Sequence, residues 1–145
     1  MNSAKDDPLY RHGKHYDQQH GYLTDDIDFY LEQAKKFGQP ILELACGTGR
    51  ITIPIAKQGA EIVGLDISEQ MLARAKEKVH NRQLKIRWIH DDVRSFDLKQ
   101  KFKLIIFTFN SIAHLHDHES IRACLVSVRN HLHEEGRFIV HFFNP

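Results

Sequence analysis

Cysteine is scarce: Cys46 and Cys124 are the only two, and neither belongs to a C-x-x-C pair. That argues against a disulfide framework or a cysteine-based zinc site, and it fits a reducing cytoplasm. Long apolar runs are missing too. No segment approaches the roughly 20 apolar residues of a membrane-spanning helix, and the early residues lack the apolar stretch of a signal peptide. A membrane is therefore not an expected partner. Charge of one sign is not in excess: 20 Lys and Arg stand against 19 Asp and Glu, for a formal net charge of +1. Binding to nucleic acid usually leaves a basic patch or stripe, and the mixed signs here argue against it. Internal repeats and low-complexity tracts are also absent.

What is present suits one ordinary domain. The chain has 145 residues, 41% hydrophobic and 27% charged, enough for a single substantial core. Residues 1–22 are polar, and residues 23–145 carry the patterning of a folded unit. The spacing predicts a helix over 23–37, with Thr24 as N-cap and Gly38 as its stop. A short apolar run, 41–46, follows Pro40. A helix over 51–58 is expected with Pro54 in its first turn, where proline is tolerated. The run 61–66 reads as a second strand. The segment 68–79 reads as a helix capped by Ser68, with Met71, Leu72, Ala75 and Val79 on one face. Strands are expected over 85–90 and 102–109, a helix over 117–132, a turn at Glu134 to Gly136 and a fifth strand over 137–143. Strands alternating with helices predict an α/β fold, a doubly wound, mostly parallel sheet with helices on both faces. Ligands of such sheets bind beyond the carboxyl ends of the strands.

At that edge lies the turn Glu43-Leu44-Ala45-Cys46-Gly47-Thr48-Gly49-Arg50, between a predicted strand and a predicted helix. Glycines there let the backbone approach a ligand closely. A dinucleotide loop has the pattern G-x-G-x-x-G, but the third position here is Thr52. A phosphate P-loop requires Lys and Ser or Thr after its last glycine, and Arg50 and Ile51 stand there instead. Either phosphate reading thus fails on particular residues. A tight turn with no ligand is the plainer alternative.

An acid in the strand followed by small residues at every second position resembles the first motif of class I S-adenosylmethionine-dependent methyltransferases. Ala45 takes the place of that motif's first glycine. Asp66, closing the second strand in GLDIS, matches the acid that this family places on both ribose hydroxyls, although it could instead cap the following helix. Ile67 and Met71 match positions that pack on the adenine, and the spacing of Met71 also fits simple core burial. In HDDVRSF, Asp92 and Val93 match the pair that reads the adenine edge, with Asp91 one residue away. Asn110 and His114, in FTFNSIAHL, match the segment lining the methyl-donor and acceptor pocket.

The resemblance implies a Rossmann-like fold, S-adenosyl-L-methionine as cofactor and methyl transfer to a small-molecule acceptor. Glu43, Ala45, Gly47, Gly49, Asp66, Ile67, Met71, Asp92, Val93 and Asn110 would bind the cofactor. His114 is the candidate base. The alternative is an S-adenosylmethionine-binding interaction module without activity of its own. Tyr10, Tyr16 and Tyr22 make residues 1–22 a candidate lid. No metal is expected, since the run from His114 to His118 lacks the pattern of a metallo-hydrolase; Cys46, with no histidine near it in sequence, reads as a small buried residue and not a nucleophile. The family's sheet has seven strands, whereas five are read here, so the domain is expected to be incomplete at its C-terminal side. The fifth strand would then be an apolar edge on which two copies could pair.

Overall fold

The computed structural model describes residues 26–108, 115 and 117–141. In chain order the elements among them are α1 (Ile27–Phe37), β1 (Ile41–Leu44), α2 (Thr52–Lys57), β2 (Ile62–Asp66), α3 (Glu69–Val79), β3 (Ile86–His90), β4 (Phe102–Phe107), α4 (His118–His131) and β5 (Leu132–Val140). All five strands pair in parallel, in the order β3-β2-β1-β4-β5. The chain runs outward from β1 in one direction and from β4 in the other. Between those two strands lies the crevice where an open α/β sheet takes its ligand.

Alternation along the strands sorts the core onto two faces. Leu42, Leu44, Val63, Leu65, Phe102, Ile105 and Phe107 pack with Phe96 and with Cys124 and Val128 of α4. On the other face Ile41, Ile62, Leu104 and Ile106 pack with Tyr30 and Ala34 of α1 and Ile55 and Ala56 of α2. The steps from β1 to β2 and from β2 to β3 go the same way, so right-handed crossovers place α2 and α3 on one side. Return from β3 to β4 runs through residues 91–101, which form neither helix nor strand.

Local chemistry explains the element ends. Gly38, at φ 81°, ends α1 and donates its amide to the Ala34 carbonyl. The expected cap Thr24 lies outside the described residues. Asp26 precedes the helix instead, and its side chain makes no capping bond. It is held by Arg50, whose two terminal nitrogens donate to its oxygens at 2.7 and 2.9 Å. Those hydrogen bonds hold the Asp26 carboxyl below its ordinary range. Ser68 caps α3 as expected, accepting from the Met71 amide at 3.2 Å. Asp117 caps α4, accepting from the Ser120 amide at 2.6 Å.

The fifth strand departs from expectation. It begins at Leu132, directly after α4, and not beyond a turn at Glu134 to Gly136. Phe102 faces Leu132 and Leu104 faces Arg137, so five steps along β5 answer two along β4. The turn chemistry of Glu134-Glu135-Gly136 is absorbed as a bulge within the strand. Phe142 and Phe143 lie outside the described residues.

Candidate functional site

The carboxyl ends of β1 and β2 meet at one side chain. Asp66 closes β2, and only 3% of its surface is exposed. Its Oδ2 accepts from the Gly47 amide at 2.8 Å and its Oδ1 from the Ser68 amide at 2.8 Å. The glycine turn, the end of β2 and the start of α3 are thereby fixed to each other. Burial pushes the Asp66 carboxyl up, against the backbone amides that favour its charged form. A carboxylate offers about four lone-pair sites, so it can accept from further donors beside these amides.

The turn itself coils through alternate left-handed residues: Ala45 at φ 54°, Gly47 at 58° and Gly49 at 85°. A Cβ on Gly49 would sit 2.9 Å from atoms of both Ile53 and Trp88. Trp88 also lies against Gly64, its neighbour in register on β2, where a Cβ would meet the indole at 2.9 Å. The indole thus packs against two glycines, one in the sheet and one in the turn. From α3, Lys78 donates to the Thr48 hydroxyl at 3.0 Å, tying the turn from a third side.

Glu43 has the same parity as Ile41 and therefore points to the α1 and α2 face. It is 2% exposed. The hydroxyl of Thr52, the first residue of α2, donates to Oε1, and that of Thr108 donates to Oε2 at 3.4 Å. Both donors are neutral; Arg50, bonded to Asp26, opposes the effect of burial on Glu43 through its charge alone. Burial pushes the Glu43 carboxyl up to about 8. Thr52 stands where a dinucleotide loop has its third glycine, and its hydroxyl is what the buried acid uses.

The remaining expected site residues divide. Ile67 is half-buried beside Asp66, and its carbonyl lies 3.0 Å from Nε2 of His90. Met71 is fully buried, in the packing role that its helical spacing also predicts. Asp92 and Val93 lie in the crossover just beyond β3, and Asp91 joins that crossover to the site by donating its amide to the Asp66 carbonyl at 3.1 Å. The carboxylate of Asp92 is not open: Arg94 Nε reaches both oxygens at 3.0 and 3.1 Å, and a terminal nitrogen reaches Oδ2 at 2.6 Å. Asn110, His114 and His116 lie outside the described residues. Among the described residues no group of three His, Cys, Asp or Glu side chains is placed to hold a metal ion.

Residues 41–136 match the family model for a methyltransferase domain, from the first residue of β1 into the bulge of β5. This chain belongs to the methyltransferase domain family. Among curated relatives it is 31% identical over 100 residues to a dTDP-3-amino-3,4,6-trideoxy-alpha-D-glucopyranose N,N-dimethyltransferase of Streptomyces venezuelae, covering 69% of this chain and 40% of that one. A glycine/sarcosine N-methyltransferase of Halorhodospira halochloris is 32% identical over 116 residues, covering 78% of this chain and 43% of the relative. Among solved structures, the glycopeptide N-methyltransferase MtfA complexed with (S)-adenosyl-L-methionine superimposes with a TM-score of 0.73 at 27% identity, covering 81% of this chain and 53% of MtfA. The chain thus spans less than half the length of these curated relatives. The methyltransferase domain here has the Rossmann-like α/β fold expected of it.

Two stability predictions follow from the site. Replacing Ala45 with glycine relieves a left-handed alanine at some cost in unfolded-chain entropy, for a net gain of about 0.5–1 kcal/mol in urea denaturation. Loss of stability on Ala45→Gly would show that the turn is unstrained. For Glu43 the folded chain holds a proton between the ordinary 4.5 and about 8 that the unfolded chain releases. Its contribution is complete below 4.5, falls as pH rises through that window and levels off above it, by a few kcal/mol in all. Denaturation midpoints measured from pH 4.5 to 9 should lose this slope in Glu43→Gln; an identical slope in both proteins rules the assignment out.

Proposed function

We propose that this domain binds S-adenosylmethionine across the carboxyl ends of β1, β2 and β3 and transfers its methyl group to a small molecule. The observation that carries the reading is the Asp66 carboxylate, held in place by the Gly47 and Ser68 amides at the meeting point of β1, β2 and α3. A rigid carboxylate suits a cis-diol, the feature a ribose presents. The left-handed turn at Ala45, Gly47 and Gly49 lies beside it, where the amino-acid end of the cofactor would lie. Glu43 supports that end from within β1. Ile67 supplies an apolar surface for the adenine, and the Asp92 carboxylate and Val93 amide suit the adenine's amine and ring nitrogen. Asp92 then shares its oxygens between that amine and Arg94, whose fork fixes its orientation.

The sulfonium of the bound cofactor supplies an electrophilic methyl group. What the protein adds is placement, holding an acceptor in line with that group. Asn110 and His114 are our candidates for the acceptor side, His114 as the base if the acceptor must lose a proton. The relatives named above act on amino sugars, glycine and a glycopeptide, which favours a small amine as acceptor. Residues 1–22 are our candidate lid. Free, buried Cys46 and Cys124 support a reducing, cytoplasmic setting, and among the described residues no helix is long and apolar enough to cross a membrane.

Calorimetric titration with S-adenosylhomocysteine should give one-to-one binding. Asp66→Asn, which keeps the shape but turns one acceptor into a donor, should weaken it at least roughly tenfold. Full affinity in a folded Asp66→Asn protein would remove Asp66 from the site. We further propose that two copies pair through β5, whose Phe138, Ile139 and Val140 are partly buried in an edge strand. Sedimentation should then show a mass rising with concentration, and Ile139→Lys should hold it at the monomer; a monomer at all concentrations in the unaltered chain excludes the pairing.

A further inference from the structure

The crossover at residues 91–101 carries Asp92 and Val93 without regular secondary structure of its own. Backbone groups in such a segment must find partners elsewhere. Helix α4 supplies two. The Ser127 hydroxyl donates to the Arg94 carbonyl at 3.4 Å, and His131 Nε2 accepts from the Leu98 amide at 2.9 Å. Between those two bonds Phe96 is buried, its ring centroid 4.5 Å from that of the His131 imidazole.

The protonation state of His131 follows from its partners. A backbone amide can only donate, so Nε2 must carry a lone pair. Nδ1 donates to the Ser127 carbonyl at 2.7 Å. The ring is therefore neutral with its proton on Nδ1. Asp97 Oδ1, 4.0 Å from Nε2, is beyond hydrogen-bond reach and does not compete for that nitrogen.

Helical spacing puts Cys124, Ser127, Val128 and His131 on one inward stripe of α4. Such a stripe is ordinarily apolar, because burying a hydroxyl or an imidazole costs free energy unless it is hydrogen-bonded. Here Ser127 and His131 are 8% and 4% exposed. Packing alone would be served better by valine or leucine. The outward bonds of both residues go to the main chain of the same crossover, on either side of Phe96.

We propose that Ser127 and His131 are positioning residues for the adenine-reading segment. By fixing the Arg94 carbonyl and the Leu98 amide they set where the crossover lies, and with it where Asp92 and Val93 meet the adenine edge. This rests on the assignment of Asp92 and Val93 made above. His131→Leu keeps the bulk and removes the acceptor. His131→Gln returns an acceptor oxygen near the position of Nε2, and Ser127→Ala removes the second bond with little change in volume.

The test is a titration of the full chain and these three variants with two ligands, S-adenosylhomocysteine and its counterpart with a 6-oxo purine. The 6-oxo compound lacks the exocyclic amine and carries a proton on the adjacent ring nitrogen. The affinity ratio therefore reports how the crossover reads the base, independently of the rest of the cofactor. The unaltered chain should favour the adenine compound by roughly tenfold or more. His131→Leu should reduce that ratio several-fold by weakening the adenine compound selectively, Gln at 131 should restore most of it, and Ser127→Ala should reduce it to a lesser degree. Circular dichroism and thermal melts establish folding; if His131→Leu does not fold, the ratio in Ser127→Ala decides alone. Equal weakening of both ligands with an unchanged ratio overturns the positioning role and leaves the adenine reading intact. An unaltered chain that binds both ligands equally well removes the adenine reading and this inference together. If neither ligand binds, the cofactor assignment itself falls, and the inference with it.

Discussion

Two hydrogen bonds to one carboxylate organise this molecule. Asp66 lies at the end of the strand next to β1, and by accepting from Gly47 and Ser68 it joins the turn after β1 to the helix after β2. Parallel strands have no short connection, so their loops are independent segments of chain that must be registered against each other by bonds between them. The other features of the site take their position from that junction. Gly49 lies flat enough for Ile53 and Trp88 to close under it, and the Asp91 amide meets the Asp66 backbone and so brings in the third strand's loop.

The second organising element is a buried acid. Glu43 has hydroxyls for partners and no salt bridge within the described residues. A carboxyl placed so is cheaper to keep neutral than charged. Together with Asp66, Asp91 and Asp92 it makes the carboxyl edge of the sheet rich in acids. The two arginines nearest in sequence, Arg50 and Arg94, are bound to Asp26 and Asp92 respectively.

Much of this was legible in the sequence because it depends on local rules. Helical periodicity located α1, α3 and α4 to within a few residues, Ser68 marked the start of α3, and alternation with apolar runs gave five strands and their parallel arrangement. The motif Glu43 to Gly49 and the acid Asp66 were found through their resemblance to the methyltransferase pattern. What escaped was long-range. Nothing near Asp92 in a linear reading says that Arg94 will turn back on it, nor that Arg50 will reach Asp26, which left Asp26 without a capping role. The Glu134-Glu135-Gly136 stretch reads as a turn because its residues prefer one, but pairing with β4 kept the strand continuous and forced the excess into a bulge. Ser127 and His131 look like ordinary breaks in an apolar stripe until the crossover that they hold is in view.

Trp88, the only tryptophan in the chain, rests against both Gly64 and Gly49. The indole is the strongest natural fluorophore a protein carries, and this one touches the turn on which the whole site depends. The domain therefore contains its own optical probe: light emitted from one residue on an edge strand reports the state of the glycine turn, with no label attached and no other indole to obscure it.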